Sequence, residues 1–272
     1  MPNRSFVTTI YRLADAVFRR ASSGMQALYQ GFWLGWMGSK SLNEATRLYY
    51  AGRSKYLDSE YNTSGLKDWE ARIADRYFSD CRTLLVGAVG GGREAVALAE
   101  RGKAVTAFEC SAELAQSARD VLSREGLIAE VMTVAPSEVP RLDTCFDGAV
   151  VGLGGYMHIP GKAVRVRFLQ DLRDRVESGA PLLLSFFTRT PDSRFFLWSR
   201  RVARFIRRLR FSREEVDLGD AVDRSFDHHF TQEEIAAELA AAGFELVDYG
   251  EDPIGHAVGL ATRVIPRTAP LR

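Results

Sequence analysis

The chain has 272 residues, 46% hydrophobic and 26% charged, with a formal net charge of +1. That composition excludes a disordered or fibrous chain, and the balanced charge excludes a global field that would draw the protein to nucleic acid, so any basic site must be local. Cys81, Cys110 and Cys145 show neither metal-ligand spacing nor a disulfide framework, and read as reduced thiols of a cytoplasmic protein.

Residues 1–78 read as a helical cap or lid. Ile10, Leu13, Val17 and the adjoining Phe18 recur at helical spacing, with neither the continuous apolar core nor the cleavage site of a secretory signal. A second segment, "MQALYQGFWLGWMGSK", is rich in aromatics and interrupted by Gly31, Gly35 and Gly38. A third, "LKDWEARIADRYFSD", is a charged amphipathic helix leading into the first strand. No apolar run approaches the roughly 20 residues of a membrane span.

From Thr83 strands and helices alternate. "TLLVGAV" is a continuous apolar strand, as expected of one buried on both faces. "GREAVALAERG" is a helix with Gly102 at its end, and "KAVTAFE" the next strand. "SAELAQSARDVLSREG" is a helix with Ser111 as N-cap. "AEVMTVA" and "FDGAVVGLG" are the third and fourth strands, "KAVRVRFLQDLRDRVESG" a helix, and "APLLLSFFTR" the fifth strand. Thr231 and Glu234 fit a capping box that starts the last helix. "FELVDYGEDPIGHAVGLATRV" then reads as two strands and a turn. The fold class is therefore α/β: a mostly parallel sheet with an antiparallel C-terminal edge hairpin and an N-terminal helical cap. Residues 79–272 form the core, with a basic amphipathic insertion at about 190–222.

The stretch "LLVGAVGGGREAVALAERGKAVTAFEC" holds the chemistry. Its turn runs Gly87, Ala88, Val89, Gly90, Gly91, Gly92. A dinucleotide fingerprint needs glycine where Val89 stands, and a phosphate loop needs a G-K-[ST] that does not follow. A ligand with a ribose and a charged amino-acid tail, without phosphate, fits better. The small residues let the tail lie against the backbone at the helix N-terminus, and Glu109, closing the second strand, can accept hydrogen bonds from ribose hydroxyls.

With these residues in hand, the chain resembles the Rossmann-like, class I S-adenosylmethionine-dependent methyltransferases from about Thr83 to Val264. The resemblance rests on "VGAVGGG", on the acid of "AFE", on "FDGAVVGLGGYMHI" and on "HFTQEEIAAELAAAGFE". It implies S-adenosylmethionine as cofactor, held by Gly87, Ala88, Gly90, Gly92 and Glu109, with Ser137 or Glu138 standing in for the residue that meets adenine. Two departures are the absence of an acid at Val86 and of a glycine at Ala88.

"GLGGYMHIPGK" follows the fourth strand, where substrates are expected, and Tyr156 and His158 are the polar groups placed to face a methyl acceptor. His158 has the chemistry of a general base, or else caps the following helix. In "FDHHFTQEEI", His228 is a candidate for the acceptor pocket and His229 a structural residue; a metal site finds no spacing to support it. The insertion, written as a helix from Ser193, gathers Phe195, Trp198, Val202, Phe205, Ile206 and Leu209 on one face and Arg200, Arg201, Arg204, Arg207 and Arg208 on the other. Residues 194–211 thus read either as a lid packed on the N-terminal helices or as a peripheral contact with an anionic membrane. The expected activity is methyl transfer to an oxygen, or else a nitrogen, of a small metabolite, a sugar or a lipid-linked acceptor. The alternative is a catalytically weak or inactive relative that binds cofactor or a partner; an oligomer is compatible with either.

Overall fold

The computed structural model describes residues 6–263, with side chains from residue 21 onward. The face drawn through Ile10, Leu13, Val17 and Phe18 therefore lies outside the described side chains. Helices α1 (Phe6–Trp36), α2 (Ser39–Ala51), the single turns α3 (Ser54–Leu57) and α4 (Ser59–Asn62), and α5 (Asp68–Tyr77) precede the sheet. Then follow β1 (Thr83–Gly87), α6 (Arg93–Glu100), β2 (Ala104–Glu109), α7 (Ala112–Arg124), β3 (Ala129–Thr133), β4 (Gly148–Val151), a 3-10 turn (Gly155–His158), α8 (Lys162–Arg173) and β5 (Pro181–Thr188). The chain continues through α9 (Arg194–Leu209), β6 (Asp220–Val222), β7 (Phe226–Phe230), α10 (Gln232–Ala241), β8 (Phe244–Gly250) and β9 (Gly255–Ala261).

Strands β3-β2-β1-β4-β5 run parallel in that spatial order. Leu84, Leu85 and Val86 of β1 and Leu182, Leu184 and Phe186 of β5 are buried, which explains why both strands are written in unbroken aliphatics. Ser111 caps α7 by accepting from Leu114 N, and Thr231 and Glu234 form the reciprocal box at α10. β9 lies antiparallel along Pro181 to Phe186 of β5, and β8 pairs antiparallel with β9, giving the expected edge hairpin.

One hairpin was not anticipated. The last two residues of β5, Phe187 and Thr188, leave β9 and pair with His229 and Phe230 of β7, which pairs antiparallel with β6. The alternation Phe226, His228, Phe230 inward and Asp227, His229 outward is a strand pattern. In the sequence it reads only as the approach to α10.

α1 is one continuous helix, so Gly31 and Gly35 do not interrupt it; they are its contact with α9. A Cβ on Gly31 would lie 2.5 Å from the Ser199 carbonyl oxygen, and one on Gly35 would lie 2.6 Å from Ile206 Cβ. The α9 face that packs inward is Phe196, Ser199, Ala203 and Arg207. Arg207 is buried and donates to the carbonyls of Leu34 (3.1 Å) and Met37 (3.1 Å), satisfying acceptors that the end of α1 leaves open, and pairs with Glu214 at 3.0 Å. The expected division of α9 is corrected at Arg207, which belongs to the interior; on the apolar face, which the sequence left either packed or open, Trp198, Phe205 and Leu209 are exposed. Gly35→Val is expected to destabilise the α1–α9 pair by about 2 kcal/mol through overpacking, read as a lower thermal midpoint and faster proteolysis within α1.

Candidate cofactor and acceptor site

Strand order reverses between β1 and β4, and the crevice beyond their carboxyl ends is where open α/β sheets hold ligands. A cleft of about 1160 Å³, counted out to its opening into solvent, lies there. Its floor is the turn after β1 and the end of β2, one wall is residues 134–138, another is the 3-10 turn with His158, and its roof comes from α2, α3 and α4.

The turn after β1 bends through positive φ at Ala88 (50°), Gly90 (56°) and Gly92 (110°). Ala88, the one non-glycine among them, sits where an L-residue pays roughly 1–2 kcal/mol. A Cβ on Gly90 would meet nothing within 4 Å, so that position opens onto the cleft and leaves room for a ligand against the backbone. Gly91, which the sequence alone does not distinguish, tolerates no side chain: a Cβ there would lie 1.9 Å from the Tyr56 carbonyl oxygen and 2.4 Å from Asn62 Nδ2. Gly87 backs on the Phe108 ring and Gly92 packs on Ala118 of α7.

Glu109 is buried at the cleft floor. Its Oε1 accepts from Cys110 N (2.8 Å) and Ser111 N (3.0 Å), and its Oε2 from Gly90 N (2.9 Å). The carboxylate thus ties the turn to the end of β2, and about one of its four lone-pair sites remains for a ligand hydroxyl. Burial and the Glu109 charge push the neighbouring Cys110 thiol up to about 12, so this cleft cysteine stays a thiol. Ser137, held at φ 65°, and Glu138 both line the opposite wall.

Two features of the roof escaped the sequence. Asn62 is buried, its Nδ2 donates to the Tyr56 carbonyl at 3.0 Å, and its Oδ1 is buried with no partner among the described residues. Such an orphan acceptor costs about 1–3 kcal/mol unless a ligand or water satisfies it. Beside it, Arg93 forms a two-pronged pair with Glu70 of α5 (2.7 and 2.8 Å) and a third contact with Glu94 (2.6 Å), locking the cap to α6. Burial raises the Glu94 carboxyl against the opposing pull of Arg93.

His158 stands on the cleft wall. Its Nδ1 lies 2.8 Å from the Phe226 carbonyl oxygen and 3.0 Å from Asp227 Oδ1, so in the neutral ring Nδ1 carries the proton and Nε2 is the acceptor. The Tyr50 ring packs against the imidazole at 4.9 Å. Burial, then the Asp227 charge, lifts the Tyr50 phenol above its ordinary value, so it remains a donor. Asp227 and Tyr50 were invisible in the sequence because β7 and α2 approach His158 only through tertiary packing.

Tyr156 and His228 do not face the cleft, which corrects two sequence expectations. Tyr156 is fully buried and donates to Glu238 at 2.5 Å. Glu238 also accepts from Arg165, at 2.8 Å from Nη2. Burial and the Glu238 charge hold the Tyr156 phenol well above its usual value. His228 pairs with Asp220 at 2.7 Å. Burial, with Arg165 adding to it, drives the imidazole well below its ordinary value, and burial lifts Asp220 to about 7. Asp217, Asp220 and His228 lie within 4.8 Å of one another, but Arg165 stands 3.3 Å from Asp217 and supplies the positive charge there. This network joins α8, α10 and the β6–β7 hairpin under the cleft. Tyr156→Phe is expected to lower stability by about 2 kcal/mol and leave turnover unchanged, whereas Glu238→Ala, which strands Arg165, lowers it by about 3–5 kcal/mol. Denaturant unfolding measures both.

No family model matches the chain, and no curated protein matches it. Solved structures do. A S-adenosylmethionine-dependent methyltransferase from Methanosarcina mazei superposes with a TM-score of 0.56 at 20% identity, over 73% of this chain and 99% of that one. The 1,6-didemethyltoxoflavin-N1-methyltransferase of Burkholderia thailandensis, solved with its acceptor and S-adenosylhomocysteine, gives 0.57 at 18% identity over 84% and 92%. The fold is that of the class I S-adenosylmethionine-dependent methyltransferases. An amino pentose methyltransferase from Micromonospora echinaspora, solved with S-adenosylmethionine bound, shares this methyltransferase fold at a TM-score of 0.54 and 18% identity, over 74% and 94%. Within that fold the glycine turn, Glu109 and the wall bearing His158 surround one crevice.

Proposed function

We propose that the protein transfers the methyl group of S-adenosylmethionine to a hydroxyl oxygen of a small acceptor. The observation that carries this reading is the open position at Gly90 beside the buried Glu109 carboxylate, with Asn62 Oδ1, which has no partner among the described residues, against the adjoining Gly91. These residues fit the cofactor: Glu109 would hold a ribose hydroxyl, Ser137 and Glu138 would flank the base, and Asn62 Oδ1 with Glu94 would meet the ammonium of the methionyl tail. When bound, S-adenosylmethionine supplies an electrophilic methyl group on a sulfonium.

The remaining work falls to the chain's own groups. Asp227 and the Phe226 carbonyl hold the His158 ring with Nε2 free, and Nε2 takes the proton from the acceptor hydroxyl. Tyr50 donates to and orients the acceptor. The roof of α2, α3 and α4, the part of residues 1–78 that caps the cleft, excludes water and fixes the approach, and positioning of this kind supplies much of the rate. The aromatic walls Tyr50, Tyr56 and Tyr61 suit a flat acceptor, and Arg47 beside them suits one bearing negative charge. Calorimetry with S-adenosylhomocysteine tests cofactor binding, and turnover of labelled S-adenosylmethionine against hydroxylated aromatic and sugar acceptors tests transfer. Absence of S-adenosylhomocysteine binding would overturn the proposal.

A further inference from the structure

The α1–α9 pair presents a surface that the methyl-transfer reading does not use. α1 exposes Met25, Leu28, Tyr29, Phe32, Trp33 and Trp36 at successive turns of one face. α9 exposes Leu197, Trp198, Phe205 and Leu209, followed by Phe211, which is 93% exposed. The two stripes are neighbours, because Gly31 and Gly35 bring α1 against Ser199, Ala203 and Ile206 of α9. Arg210 confirms the contact by stacking on Trp36 at 4.7 Å. Along the outer flank of α9 run the exposed Arg194, Arg201, Arg204 and Arg208, with Arg201 over the Trp198 ring at 5.3 Å. α9 contains no acidic residue, and α1 carries no charge from Ala21 to Trp36.

We propose that this two-helix face docks the protein on an anionic lipid bilayer. Tryptophan, tyrosine and arginine interleaved with aliphatic side chains match the boundary between headgroups and acyl chains, where an amphipathic helix lies flat with its cations on the phosphates. Among the described residues no helix is long and apolar enough to cross a membrane, so the contact is with one leaflet. Charge separates this occupant from a second copy of the chain. A two-fold contact through this face would set the α9 arginines against one another, with no acid on α9 and none on α1 between Ala21 and Trp36 to compensate. The inference is independent of the methyl-transfer reading and uses none of the cleft residues.

The test uses the full chain and vesicles of equal parts phosphatidylglycerol and phosphatidylcholine. Three of the four tryptophans, Trp33, Trp36 and Trp198, lie on the proposed face, and Trp69 is buried elsewhere. The protein is expected to sediment with these vesicles and to shift its tryptophan emission to the blue. Affinity should be at least about tenfold weaker for phosphatidylcholine alone and should fall steeply with added salt, an arm that needs no variant. R201E/R204E/R208E is expected to lower partitioning by at least about 100-fold, while its unfolding midpoint matches the parent. Three results would each overturn the proposal. The first is no sedimentation of the parent with anionic vesicles. The second is sedimentation without an emission shift, which describes a purely electrostatic contact. The third is a lipid-free dimer that W198A/F205A dissociates, which gives the face to a second copy.

Discussion

Glu109→Ala is expected to raise the dissociation constant for S-adenosylhomocysteine by about 10-fold to 100-fold. A hydrogen bond to a charged acceptor contributes roughly 1.5–3 kcal/mol, and 1.4 kcal/mol is a factor of ten. The ribose hydroxyl loses that bond, and the turn it rests on loosens as well. Gly90 N, Cys110 N and Ser111 N all surrender their acceptor, so the bend at Ala88 to Gly92 loses its tie to β2. The thermal midpoint should fall with the affinity. Glu109→Gln separates the two losses: it keeps the packing, presents an amide donor to backbone donors on one side, and should retain most of the stability while binding remains weak. Calorimetry beside thermal unfolding reads both, and an alanine variant that binds as tightly as the parent would remove Glu109 from the cofactor site.

The second large effect is at His158. His158→Ala is expected to lower kcat by about 100-fold to 10,000-fold with any hydroxylated acceptor that turns over, while S-adenosylhomocysteine binds within about threefold of the parent. Added imidazole should restore part of the rate, because the cavity left by the ring can admit it. Asp227→Ala acts through the ring: the Phe226 carbonyl still accepts from Nδ1, so the loss should be nearer tenfold. Parent-level turnover by His158→Ala would place the proton acceptor elsewhere, or show that the acceptor needs no base. The same measurements on Tyr156→Phe supply a contrast, since Tyr156 lies in the core and its loss should appear in stability alone.

Local signals were sufficient for the parallel strands and the C-terminal hairpin, though not for β6 and β7. Runs of aliphatics marked β1, β4 and β5, Ser111 and Thr231 marked the starts of α7 and α10, and the acid after "AF" sat at the strand end where the crevice opens. Such features arise from backbone geometry and burial within one element, so one stretch of chain suffices to show them. His158 could be found because its loop follows a strand directly. Tyr156, two residues earlier, was misplaced because a 3-10 turn sends neighbouring side chains in opposite directions, one to the cleft and one to the core.

The amino-acid sequence by itself determined the order of strands and helices from β1 to β5, the last helix and the C-terminal hairpin, the glycine bend and its acid, and a helix with arginines and aromatics at opposed spacing. Only the tertiary structure decided that Asn62, Tyr50 and Asp227 gather around the cleft, that Arg207 is interior, and that Trp198 and Phe205 are exposed. The reason is that burial is a property of pairs of elements. α9 turns its small residues inward because two glycines of α1 admit its backbone at close range, and that approach leaves the larger side chains outside.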